Sequence, residues 1–174
     1  NMSQMFSITY GFNQPIGYWD VGSVTDMSSM FHDAKYFNQP IGDWDVSNVT
    51  NMDGMFACDY SPGGNFNQPI GDWDVSNVTS MASMFYGQKK FNQQIGDWDV
   101  SNVTNMAGLF YGANSFNQPI GNWVVSNVNN MSEMFTSSSL SVENYDNILI
   151  GWSSLSLQNG VTLHTYKNFC NGES

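Results

Sequence analysis

Apolar side chains recur along this chain in fixed columns, not with a single helical or strand period. Phe12, Phe37, Phe66, Phe91 and Phe116 each open a unit, followed four residues later by Ile16, Ile41, Ile70, Ile95 and Ile120. Trp19, Trp44, Trp73, Trp98 and Trp123 come next, then Val21/46/75/100/125, Val24/49/78/103/128 and Met27/52/81/106/131. A closing pair such as Met30-Phe31 ends each unit, with Leu109 once replacing Met. The opening FNQPIG (FNQQIG at Phe91) repeats at spacings of 25, 29, 25 and 25 residues. All eleven methionines, and eleven of the twelve phenylalanines, fall in two columns each.

Side chains confined to columns mark one inward position repeated along a stack. A coil of 25 residues cannot bury its own apolar side, but stacked coils share a continuous core. Within a unit the pattern predicts a short strand at Trp-Asp-Val, a turn at Ser-Asn and a short helical turn through Asn-Met-x-x-Met-Phe. The expected fold class is therefore a repeat solenoid, leucine-rich-repeat-like, with a short parallel strand plus a short helical turn per coil. Its strands would lie ~4.8 Å apart. Asn13-Gln14, Asn38-Gln39 and their equivalents are expected to form amide ladders between coils.

The two ends differ from the middle. Residues 1–11 carry Met2, Met5 and Phe6, matching Met27, Met30 and Phe31, so they form a partial leading repeat of what is expected to be a longer polypeptide. Residues 12–140 hold the five coils. After Phe135 the pattern stops. Ser141 is placed to cap a helix carrying Val142, Tyr145, Ile148, Leu149 and Trp152. Asn159-Gly160 then predicts a turn into a strand at Val161–Thr165, making 141–174 an α+β cap.

Composition narrows the function classes. The chain has 174 residues, four Lys, no Arg and fifteen acidic groups, for a formal charge of −11. Such a surface repels phosphate backbones, which excludes nucleic acid as a partner. No apolar run reaches the ~20 residues of a membrane span. Cys58 and Cys170 are too few for a disulfide scaffold and, several coils apart, beyond disulfide reach. His32 and His164 stand apart in sequence and offer little for a metal cluster or a proton relay. No nucleophile–His–acid set, phosphate-binding glycine loop or zinc spacing is present, so no enzyme is expected.

The repeated WDVSNVTNMxxMF followed by FNQPIGDWDVSNVT resembles the BspA-like leucine-rich-repeat surface proteins of bacteria, which also occur in some protists and large viruses. The ending NYDNILIGWSSLSLQNGVTLHTYKNFC is similar to the closing segment common after such repeats in bacterial surface proteins. The resemblance implies a leucine-rich-repeat-like solenoid, display outside the cell or on its surface, and adhesion or protein interaction. It implies no catalysis.

If Trp and Val point inward, the residues between and before them point out. One outward column is Asp20, Asp45, Asp74 and Asp99, and a second is Asp43, Asp72 and Asp97. Like charges stacked ~5 Å apart repel by roughly 0.8 kcal/mol per pair in water. Such a face is either fully solvated, neutralised by cations such as Ca²⁺, or selective for basic partners. No EF-hand motif is present, and no cofactor is required. The insertion at residues 57–65 is the one break in regularity, and loops on rigid scaffolds carry binding function. Asp59 and Tyr60 are its candidate contact residues. The expected activity is non-catalytic adhesion, with a host or cell-surface protein or glycan as partner. A structural spacer, or an ice- or glycan-binding solenoid using Thr and Asn ladders or outward indoles, remains the alternative. The Asn-x-Thr triplets are also glycosylation sequons, expected here as by-products of the repeat.

Overall fold

A computed structural model describes residues 1–59, 61 and 63–163. The apolar columns form one continuous core. Phe37, Trp73, Val78, Met81, Phe85 and Ile95, like their column mates in the inner coils, are 0–4% exposed. The phenyl rings stack in two parallel files. One runs Phe31, Phe56, Phe85, Phe110, Phe135 at centroid steps of 5.6, 5.8, 5.8 and 5.9 Å. Each of its inner rings lies face to face with one of the second file, as in Phe85–Phe91 at 3.9 Å.

The coils are not built from strands and helical turns, and the expected leucine-rich-repeat-like solenoid is corrected on this point. Among the described residues there is no sheet. The coils are paired only by single parallel bridges, Asp26↔Asn51, Asn51↔Ser80, Ser80↔Asn105 and Asn105↔Asn130. The Trp-Asp-Val segment is not a strand because two turns take up backbone groups at its two ends, the Trp amide and the Val carbonyl. In one coil Trp44 N donates to Ile41 O at 3.2 Å and Val49 N to Val46 O at 2.9 Å. The Met-x-x-Met-Phe segment is not helical because its central residue is left-handed. Ser29, Gly54, Ser83, Gly108 and Glu133 all have φ between 54° and 61°, left-handed values that no α-helix contains.

In this segment every second amide runs along the stack. Met81, Ser83, Phe85 and Gly87 donate to Asn105, Ala107, Leu109 and Tyr111 of the next coil. The amides between them close local turns, such as Met84 N to Met81 O and Tyr86 N to Ser83 O. Every coil is therefore tied to its neighbour through backbone groups that regular structure would have kept inside one element. Polar side chains complete the joints. Asn92 N donates to Asn67 Oδ1 at 3.0 Å, and Gln93 Nε2 to Asn67 O at 2.9 Å. Each glycine of the IGDW segment lies against a carbonyl: a Cβ on Gly71 would sit 2.5 Å from Gln94 O, and on Gly96 2.6 Å from Pro119 O.

The leading residues 1–11 pair with the next coil in the same way, as Phe6 N to Met30 O shows. At the other end a single helix, α1 (Val142–Ser153), has Ser141 as its N-cap and buries Ile148 and Trp152. It takes over the ladder of the last coil: Ser141 N donates to Asn117 Oδ1, and Asn144 Nδ2 to Asn117 O, at 2.7 and 2.9 Å. Backbones touch where a Cβ on Gly151 would lie 2.1 Å from Gly121 O. The strand expected at 161–165 is not present at 161–163, and its last two residues lie outside the described ones, so the described ending is a helix and irregular chain, not an α+β cap. Among the described residues no helix is long and apolar enough to cross a membrane.

Candidate functional site

The two acidic columns are both exposed but chemically different. In the first, each carboxylate closes its own turn, an Asx-type arrangement. Asp20 Oδ1 accepts from Gly22 N at 3.1 Å, and Asp99 Oδ1 from Ser101 N at 3.0 Å. Asp45 Oδ1 accepts from both Ser47 Oγ and Ser47 N at 2.6 and 3.0 Å, and Asp74 Oδ1 does the same with Ser76. The hydroxyl and amide of Ser47 hold the Asp45 carboxyl below the usual carboxylate range, and those of Ser101 do so for Asp99.

A pH dependence follows. A carboxyl whose folded-state pKa is depressed stabilises the fold fully above its unfolded value of ~3.9 and loses that contribution as pH falls through the folded value. Thermal melts between about pH 5 and pH 2 should therefore show a falling midpoint that flattens in an Asp45→Asn/Asp99→Asn double variant. An unchanged slope in that variant would remove these two turns as its source.

The second column is uncommitted. Asp43, Asp72 and Asp97 are exposed and accept no hydrogen bond from any described residue. Asp72 and Asp97 flank a groove floored by Pro69, Gly71, Gln93 and Gln94, and Asp97 continues into a second groove beside Pro119 and Asn122. Among the described residues the column carboxylates bring no three ligand atoms together.

The remaining surface candidates are absorbed by the joints. The indoles of Trp44, Trp73, Trp98 and Trp123 are buried, and each Nε1 donates to the Ile carbonyl of the preceding coil at 3.1–3.2 Å. They form no outward stacking platform. Thr79 Oγ1 donates to Thr50 O and Asn77 Nδ2 to Ser47 O of the preceding coil, so the Thr and Asn ladders, although exposed, also tie neighbouring coils together.

The insertion is anchored, not loosely tethered. Gln88, 3% exposed, donates from Nε2 to Phe56 O and accepts from Phe66 N at 3.0 Å through Oε1. Gly64 packs directly on that amide, and its own N donates to Gly87 O. Across the loop base, Asp59 N donates to Asp33 Oδ1 and Asp59 Oδ2 meets His32 Nε2, both at 2.9 Å. Tyr86 and Tyr111 stack beside it at 4.7 Å. Burial, then the neighbouring Tyr111 and Asp59, push the Tyr86 phenol up. Tyr60 and Cys170 lie outside the described residues, while Cys58 is buried at the start of the loop.

His32 and Asp33 are not legible in the sequence as site residues. They look isolated there because their partner Asp59 stands 27 and 26 positions away, a separation that becomes contact only through the coil register.

Stacked near-identical coils with an anchored loop define the chain as a tandem-repeat protein. It belongs to the family described as "Mycoplasma protein of unknown function, DUF285", whose family model matches residues 1–62 and 58–154. No curated protein and no solved structure matches the chain.

Proposed function

We propose that the chain is a non-catalytic binding module of a BspA-like surface protein, displayed outside the cell. It engages a basic protein or peptide through the Asp43–Asp72–Asp97 column. One observation carries this reading: these three carboxylates repeat in register, Asp72 and Asp97 beside grooves, and are not used by the fold, whereas the parallel column is consumed by its turns. Complementary charge of this kind steers association and selects partners.

Calorimetry with a lysine-rich peptide tests it at physiological salt. Asp43→Asn/Asp72→Asn/Asp97→Asn is expected to weaken binding by about tenfold or more, that is ~1.4 kcal/mol. The equal-charge control Asp45→Asn/Asp74→Asn/Asp99→Asn should change it by less than about threefold. Equal losses in both triples would reduce the effect to net charge. No saturable binding would leave the chain as a structural spacer.

A further inference from the structure

We infer that His32, Asp33 and Asp59 form a site for one divalent transition-metal ion, with Zn²⁺ as the best fit. Each residue offers one ligand atom, and these atoms all lie within 4.8 Å of one another. His32 Nε2 is 2.9 Å from Asp59 Oδ2 and 3.6 Å from Asp33 Oδ2. Ligand atoms at ~2.1 Å from a tetrahedral ion stand about 3.4 Å apart, so small side-chain adjustments close the set. One imidazole and two carboxylates suit Zn²⁺ and its neighbours better than Ca²⁺, which takes six to eight oxygens. His32 and Asp59 also line a cavity bordered by Ser29, Gly54, Ser83 and Tyr86, which leaves space for an exchangeable fourth ligand.

A second observation points to a bound cation. Asp33 is 2% exposed, yet its carboxylate has little to offset burial. Oδ1 accepts the Asp59 amide at 2.9 Å, while the His32 ring stands 3.6 Å from Oδ2, beyond hydrogen-bond reach. One imidazole N–H serves one carboxylate at a time, and here it is nearer the more exposed Asp59. A buried carboxylate with so thin a shell is costly, and a dication between the three groups removes that cost.

The site is also singular in a repetitive chain. At the positions of His32-Asp33 the other coils carry Ala57-Cys58, Tyr86-Gly87, Tyr111-Gly112 and Thr136-Ser137. Asp59 comes from the insertion itself. The backbone presets the geometry: Asp33 is left-handed, with φ of 57°, and its N donates to Ala57 O at 2.7 Å.

Calorimetric titration of the full chain with Zn²⁺, together with the visible spectrum of the Co²⁺ form, tests the assignment. One saturable site per chain is expected, weakened at least about tenfold by His32→Gln, Asp33→Asn or Asp59→Asn, and kept in His164→Gln. Bound Zn²⁺ should raise the melting temperature, and metal-free Asp33→Asn should melt no lower than the metal-free parent. The site is overturned by absence of saturable binding at ~100 μM Zn²⁺, or by binding that survives all three substitutions. A thiolate-to-Co²⁺ band, placing the ion on cysteine, or equal stabilisation by Ca²⁺ would overturn it as well.

Discussion

Replacing Phe85 by alanine is expected to destabilise the fold by about 3–5 kcal/mol, the range for truncating a fully buried aromatic. Phe85 is 0% exposed and sits at the centre of one phenyl file, between Phe56 and Phe110, each at 5.8 Å, and against Phe91 of the other file at 3.9 Å. Its removal opens a cavity that the flanking rings cannot fill, because each is fixed by the backbone joints of its own coil. With total stabilities of ~5–15 kcal/mol, one such change removes a large part of the margin. Position along the stack should grade the effect. In nearest-neighbour repeats a central unit shares two interfaces, so Phe6→Ala, at a half-buried ring of the leading coil, should cost less than half as much. Urea unfolding followed by fluorescence measures both, and equal costs at the two positions would refute the nearest-neighbour account.

Gly96→Ala should be nearly as damaging although it adds a single methyl group. The new Cβ would stand 2.6 Å from Pro119 O, and that oxygen belongs to the backbone of the next coil, which cannot move without opening the joint. Overpacking of this kind costs about 2–3 kcal/mol. Gly11→Ala makes the comparison clean, since nothing lies within 4 Å of its Cβ position. There the substitution should be neutral or stabilise by up to ~1 kcal/mol through the unfolded chain. A Gly96→Ala chain that unfolds at the parent's urea midpoint would mean that the coils are less closely seated than these distances require.

Much of the core is legible in the amino-acid sequence. The columns of Phe, Ile, Trp, Val and Met point inward because only burial explains side chains held so strictly in register. Backbone conformation is less legible. Trp-Asp-Val has the apolar–polar–apolar alternation of a strand, but alternation records which side chains face the core, not where the amides go. Here Trp44 N and Val49 N close local turns, and Asp45 caps one of them. Met-x-x-Met-Phe has helical spacing, yet the left-handed residue between its methionines, serine or glycine in the first four full coils and Glu133 in the fifth, turns it into a zigzag. Glycine at that point in two coils is the one local sign. The repeated glycine before Asp-Trp has the look of turn chemistry, whereas its role is to let two backbones meet. The two aspartate columns look equivalent, and only the residue two positions on, glycine after Asp20 and serine after Asp45, Asp74 and Asp99, distinguishes the one used by the fold. His32 and Asp33 give no local sign because their partner lies in the next coil, within the only segment that breaks the repeat.

The bridges step by 25, 29, 25 and 25 residues, so the four extra residues of the insertion are taken up in one bulge without shifting a joint. In genetic terms the coil is then an exchangeable cassette. Unequal recombination that adds or deletes one whole unit away from the insertion would present the backbone joints with the same partner groups, so the number of coils could vary separately from the chemistry that holds each coil to the next. The bulge between Cys58 and Phe66 is the complementary case, a place where sequence can diversify while the rod on either side stays the same.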